Sequence, residues 1–342
     1  MSKPSSVPRQ QELARYCQVS SKVTSNYSIP TAVVAYSRGM DAAARPNLTT
    51  LLWAADGSPR FGGIISYPNI EAAGYLNRSE VQQLWDFQSR TGARSVKFGA
   101  WPTYFGWAPA MAQCSSGSDT IGFADGAAAA AAAATPATNF TLLFTHDAPY
   151  GLQGIELSTA WLDSRGLYRC PGNASAPLPT CSIWGPGSDF EVAGLHPNCS
   201  SMPFMQLAPE GAASPAIAAV LVNYTDDNRN TMAFTFDCAA WSPSCVLLGR
   251  LSVAWLLEGR SQPVATDSSG NPTGTSGAAQ QAASDLSGKI VADLLVDASK
   301  ANIANGTPDS PLKNGAAARA GPAAGALAAA SAGAALLSVL LL

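Results

Sequence analysis

The residues in this chain whose types could do chemistry are two histidines, one dense run of aromatics, seven cysteines and an excess of asparagines in glycan-acceptor context. A hydrolytic triad in its usual form needs a histidine as base. Only His146 and His196 are present, and neither stands beside a nucleophile motif. No G-x-S-x-G, G-x-C-x-G, phosphate-binding loop or G-x-G-x-x-G after a strand occurs, so nucleophilic catalysis and nucleotide binding lose their usual supports. The helical pair H-x-x-x-H is also absent, and neither a metal centre nor a cofactor is expected. His146-Asp147, in FTHDAPYG, closes a β-like run and enters a loop; the pair reads either as a binding site or as a hydrogen-bonded strand end. Trp101, Tyr104, Phe105 and Trp107 crowd into seven residues. Sugars present flat C–H faces that stack on exposed rings while polar neighbours bind hydroxyls. Trp101, Tyr104 and Trp107 therefore read as a glycan platform, or alternatively as a seal between two modules.

The elements that must position these rings stand just before them. Ser79 is a good N-cap with Gln82 three residues on, which predicts a capping box over the first turn of a helix. Val81, Leu84, Trp85 and Gln88 share one face of that helix, and Gly92 supplies the left-handed residue that ends it. Arg94 to Phe98 then alternates, with Val96 and Phe98 on one side, and Pro102 and Gly106 favour a loop beyond. This is a helix-to-strand step of a layered α/β sheet. Thr31 to Tyr36 is a short apolar run suited to a strand buried on both faces, and Leu51 to Trp53 and Phe61 to Tyr67 are further short strands. Gly62-Gly63 marks a strand end or bulge.

After Trp107 the pattern changes. Phe140 to Thr145, Ile155 to Leu157, Ile217 to Tyr224 and Met232 to Phe236 are β-like runs separated by turns, spacing that suits a β-sandwich. Ala127 to Ala134 is an alanine tract read as an expanded surface loop. Ser242-Pro243 opens an apolar helix with Gly259 as its stop, expected to pack back on the α/β sheet. The expected organisation is thus α/β plus β: an α/β module over 26–110 completed by helix 242–260, a β-rich module over 111–241, a disordered, flexible linker over 261–313 with one amphipathic stretch near Leu286 to Val296, and a hydrophobic tail.

Composition speaks most clearly about compartment. Net charge is −3 with a pI near 5.4, which gives no footprint for nucleic acid. Asn-X-Ser/Thr acceptors stand at Asn26, Asn47, Asn77, Asn139, Asn173, Asn198, Asn223 and Asn305, eight of fourteen asparagines. Chance predicts roughly two, so a secreted glycoprotein is expected. The cysteines agree, being spread through loop-like sequence without zinc-ligand spacing. Cys170 with Cys181 and Cys238 with Cys245 are the disulfides expected first; Cys114 with Cys199 would leave Cys17 odd. The first residues lack the apolar core of a secretory signal, so the expected signal peptide is placed upstream of Met1. At the other end, Asn314-Gly315-Ala316, a short spacer and an uncharged run from Ala326 to Leu342 follow the order of a glycosylphosphatidylinositol (GPI) attachment signal, with Asn314 as the lipidated residue. The rival, a permanent transmembrane helix, is disfavoured by the short span and the absence of a charge after it. The expected location is the extracellular face of the plasma membrane or the cell wall.

The succession YSIPTAVVAY, FGGIISYPN, LNRSEVQQLWDFQSRTGARSVKFGAWPTYFG and LSVAWLLEGR resembles the amino-terminal, non-catalytic half of the fungal aminosugar-polysaccharide (galactosaminogalactan) deacetylases. The resemblance runs roughly from Ser25 to Arg260 and is strongest from Glu80 to Pro102. It implies a flavodoxin- or amidotransferase-like α/β module beside a carbohydrate-binding β-sandwich. Residues 261–342 are too few for a deacetylase barrel, so no catalytic residue carries over. The expected function is a non-catalytic, GPI-anchored glycoprotein that binds aminosugar or acidic polysaccharide. The alternatives are an enzyme with an unrecognised site and a purely structural matrix glycoprotein.

Overall fold

A computed structural model describes residues 18–37, 40–67, 69–71, 75–109, 140–158, 172–178, 181, 198–209, 216–236, 243–260, 277–306 and 334–340. Among them, the strands join one mixed α/β sheet that curls into a half-barrel. Its first half is built from β1 (Thr31–Ser37), β2 (Gly63–Tyr67) and β3 (Arg94–Lys97), followed by the short β4 (Trp107–Pro109). The second half adds β5 (Phe140–Phe144), β6 (Glu156–Ser158), β7 (Gly172–Pro177), β8 (Cys199–Pro209), β9 (Ala216–Tyr224) and β10 (Arg229–Phe234). The last strand is β11 (Ala334–Leu340), and the order is β1-β11-β2-β3-β10-β9-β8-β5-β6, with β7 paired to β9 and β4 to β7.

β2, β3 and β10 are parallel, and β3 meets β10 with Ser95 level with Thr231. The expected boundary at residue 110 is therefore no break in the sheet, because the β-rich half continues the α/β half edge to edge. Shared apolar faces explain the join. Met232, Phe234 and Phe236 are fully buried on one side of β10, as their period-two spacing predicts, and Phe98 stacks on Phe234 at 4.8 Å between ring centroids.

Helices cover both faces beside the parallel strands. On one, α4 (Pro243–Arg260) lies on β2 and β3 with α1 (Gln18–Asn26) against it. Gly249 and Gly63 are close approaches here: a Cβ at Gly249 would stand 2.6 Å from Val19, and one at Gly63 2.9 Å from Leu256. Gly259, expected to stop α4, lies inside the helix, where a Cβ would meet the Arg94 side chain at 2.6 Å. On the other face sit α2 (Leu48–Leu52) and α3 (Arg78–Thr91), whose Leu48, Leu52, Val81, Leu84 and Phe87 enclose Ile64 of β2. Leu51 to Trp53 is thus not a strand; Asn47 caps α2 by accepting from the Thr50 N–H.

β1 is not buried on both faces: Thr31, Val33 and Ala35 are exposed while Ala32, Val34 and Tyr36 turn to the α2–α3 core. Within the expected flexible linker, Gly277–Gly306 forms α5, docked on α4 through Ala283, Ile290, Leu294 and Ala298. Ser287 Oγ donates to the Ala254 carbonyl, Tyr27 Oη donates to Asp293 at 2.6 Å, and Arg250 pairs with Asp297. Part of the expected hydrophobic tail, 334–340, is a paired strand between β1 and β2. Among the described residues, no helix is long and apolar enough to cross a membrane. Asn139, Asn314, Cys17, Cys114, Cys170, Cys238, His196 and the alanine tract lie outside the described residues.

Candidate functional site

The aromatic segment leaves the carboxyl end of β3 and folds back over the sheet. Trp101 precedes a 3-10 turn over Pro102–Phe105, with Pro102 at its start, and Gly106, at φ 80°, reverses the chain into β4. The Gly106 carbonyl accepts from Leu178 N at 2.7 Å, and β4 pairs with β7. Trp107 Nε1 donates to Ser201 Oγ at 2.9 Å. Beneath lies a core of Ala100, Phe105, Cys181, Ile217, Val220 and Val222, against which Tyr104 and Trp107 are only partly buried.

The rings therefore divide. Trp101 is 9% exposed and belongs to the packing, whereas Tyr104 and Trp107 keep part of their surface in solvent. The disulfide under this segment joins Cys181 to Cys199, not Cys181 to Cys170. Short loop closure suggested the nearer cysteine. The fold instead brings the start of β8 under residue 181, with Cα atoms 5.9 Å apart, which also excludes a Cys114–Cys199 bridge. Cys245 is disulfide-bonded, and Cys238 lies outside the described residues.

His146 and Asp147 occupy the turn after β5, with His146 Nε2 3.0 Å from Asp147 Oδ1 and the imidazole 89% exposed. β5 pairs with β8, the strand whose Ser201 accepts from Trp107. Among the described contacts none joins the His146–Asp147 pair to the rings.

A polar constellation that the alternation of residues 94–98 did not reveal lies under α3. Alternation puts Lys97 on the face opposite Val96 and Phe98; that face is covered, and Lys97 is 3% exposed. Its ammonium pairs with Glu71, from the segment after β2, and Trp85 Nε1 donates to the same carboxylate oxygen at 3.3 Å. Trp85 in turn packs against the Arg229 guanidinium, which lies 3.9 Å from the Trp85 ring centroid and 4.2 Å from that of Tyr224. Arg229 Nε donates to Asp227 at 2.5 Å. Burial is the largest influence on Glu71 and works to raise it, but the charge and hydrogen bond of Lys97 prevail and hold the carboxyl low. Burial also pulls Lys97 below its usual value, with Glu71 opposing. Ser66 stands level with Lys97 across β2 and β3, yet Ser66 Oγ is buried without a hydrogen-bond partner. The Lys97 ammonium donates to Glu71 and not to this serine. Among the described residues, no three His, Cys, Asp or Glu side chains converge as metal ligands would.

Most of the described asparagines in Asn-X-Ser/Thr context reach the surface. Asn26, Asn47, Asn77, Asn198 and Asn223 are exposed and Asn173 is partly so; Asn305 lies in the last turn of α5. Asn47 and Asn77 cap α2 and α3 through Oδ1, whereas Asn198 Nδ2 donates to Asp226 at 3.0 Å.

No family model matches the chain, and no curated protein matches it. Among solved structures, the crystal structure of Agd3, described as a novel carbohydrate deacetylase, is similar over 74% of this chain at 19% identity, with a TM-score of 0.47. The match spans 32% of that chain, so this chain is comparable with about a third of its length.

Proposed function

We propose that this chain is a non-catalytic, glycosylated protein of the cell exterior that binds aminosugar or acidic polysaccharide through Tyr104 and Trp107. The observation that carries this reading is the pairing of partial exposure with rigidity. Both rings present surface, and the backbone beneath them is fixed by a 3-10 turn, the β4–β7 pairing, the Trp107–Ser201 hydrogen bond and the Cys181–Cys199 bridge. Rings held in place lose little freedom when a sugar stacks on them. The sequence resemblance to polysaccharide-processing proteins and the sequons that reach the surface support the same compartment and ligand class. Display on the membrane through a lipid at Asn314 completes the proposal, and many copies side by side would raise the avidity of a weak site.

A glycan array with the intact chain and its Tyr104→Ala and Trp107→Ala variants tests it. One stacked ring is worth about 0.5–1.5 kcal/mol beyond its area, so each variant should bind the polysaccharide about 2- to 12-fold more weakly. Tyr104→Ala keeps the Trp107–Ser201 hydrogen bond but gives up the Tyr104–Phe105 ring contact, so thermal melts of both variants separate contact from stability. Unchanged binding in both variants, or an intact chain that binds no aminosugar or acidic polymer, would leave the structural-glycoprotein alternative.

A further inference from the structure

We infer that β11 is a removable strand, and that a chain lacking it closes β1 directly onto β2 to make a parallel sheet of β1, β2, β3 and β10. β11 is antiparallel to β1 on one side and to β2 on the other, so β1 and β2 run in the same direction. They are also in phase. Thr31 and Gly63 both stand level with Leu340, Ala32 and Ile64 with Val339, Val34 and Ser66 with Leu337, and Ala35 and Tyr67 with Leu336. A shift of β1 by one strand spacing, about 4.8 Å, therefore brings it beside β2 without turning any side chain to the other face. Ala32, Val34 and Tyr36 would still meet the α2–α3 core, and Val33, 53% exposed at present, would stay on the side that Ile65 faces.

The connection between β1 and β2 suits this closure. Residues 38–62 carry α2, whose Leu48 and Leu52 pack in the same cluster as the α3 residues Val81 and Leu84. The β1-to-β2 and β2-to-β3 crossovers thus lie on one face and step in one direction, so they share one hand, as parallel β-α-β units do. Inserting β11 from a distant part of the chain interrupts that series; removing it restores the series. Removal would otherwise strand two rows of backbone N–H and C=O groups, which sheets do not tolerate in buried positions. Closure re-pairs the buried row of β2 and leaves β1 as an ordinary edge strand. The same segment can then serve as a strand in the full chain and be lost with the sheet re-closed; its loss on attachment of a lipid at Asn314 rests on the proposed function.

The test compares the full chain with a chain ending at Asn314, each carrying Ala35→Cys and Tyr67→Cys. In the full chain these positions are two strand spacings apart, about 9.6 Å, beyond the roughly 4.4–6.8 Å that a disulfide spans. After closure they are one spacing apart. Peptide mapping after oxidation should show a 35–67 cross-link in the shortened chain only. Amide exchange on the two chains without added cysteines is the second measurement, with protection of residues 32–36 expected to persist after truncation to within about tenfold. A cross-link in the full chain, unprotected β1 amides in the shortened one, or a shortened chain that does not fold would each overturn the inference. None of these outcomes depends on whether Tyr104 and Trp107 bind sugar.

Discussion

The Lys97–Glu71 pair sets the stakes at the residue scale, because both charges are buried and each satisfies the other. Removing one partner of such a pair leaves an uncompensated charge and typically costs about 3–5 kcal/mol. Glu71→Gln should lower the urea midpoint accordingly at pH 7, while its Trp85 contact has a counterpart in the amide oxygen. The pH dependence follows from the direction of each shift. Glu71 is held below its ordinary 4.5 in the folded chain, so on acidification the unfolded chain takes up the proton first. The stabilisation is present above pH 4.5 and lost as pH falls through the folded value. Lys97, lowered from 10.5, gives up its proton earlier in the folded chain, so its contribution grows with pH across the window below 10.5. The gap between wild type and Glu71→Gln should accordingly narrow between pH 5 and pH 3. A gap that stays constant over that range would show that Glu71 does not carry its charge in the fold.

At the scale of elements, α3 decides where its own first turn begins. Two capping boxes compete two residues apart, Ser79 with Gln82 and Asn77 with Glu80, and sequence rules favour both. Asn77 wins: its side chain accepts from Glu80 N at 2.9 Å while Glu80 accepts from Asn77 N at 2.7 Å. The deciding contact is tertiary, since Glu80 also pairs with Arg45, whose guanidinium reaches the Tyr75 carbonyl. Asn77→Ala should therefore cost about 0.5–2 kcal/mol in thermal melts, and Ser79→Ala less than about 0.5 kcal/mol. The reverse ranking would return the helix start to Ser79. Local signals were otherwise legible in this element. Val81, Leu84, Trp85 and Gln88 are all buried as their spacing predicts, and Gly92 is left-handed at φ 68°. Contacts between distant segments were not legible, and these fix the candidate site. Nothing near residue 97 announces Glu71 or Arg229 as neighbours, and nothing near Cys181 announces Cys199.

At the scale of the whole molecule, what the sequence divides the fold unites. Modules and linker were separated by changes in composition, but a sheet is joined by edges, and the edge between β3 and β10 leaves no local mark. α5 shows the same limit. The low charge and the Gly, Ser, Pro and Thr content of residues 261–313 suggest a flexible stalk, and the seam of Ala283, Ser287, Ile290, Leu294 and Ala298 does not contradict them locally, being narrow with three of its five residues small. Small residues let α5 approach α4 closely, and the few large ones then carry most of the apolar burial. If α5 is part of the core, Leu294→Ala should destabilise the chain by about 2–5 kcal/mol, since it empties a fully buried site between two helices. The neighbouring Leu295 is 41% exposed, and Leu295→Ala should change stability by less than about 0.5 kcal/mol. Urea unfolding of the two variants, followed by tryptophan fluorescence, reads the difference directly, because Trp255 lies in α4 against the same core. Equal and negligible effects would mean that α5 stands away from the body as a stalk. A midpoint shifted only by Leu294→Ala would place the chain through residue 298 within the cooperative unit.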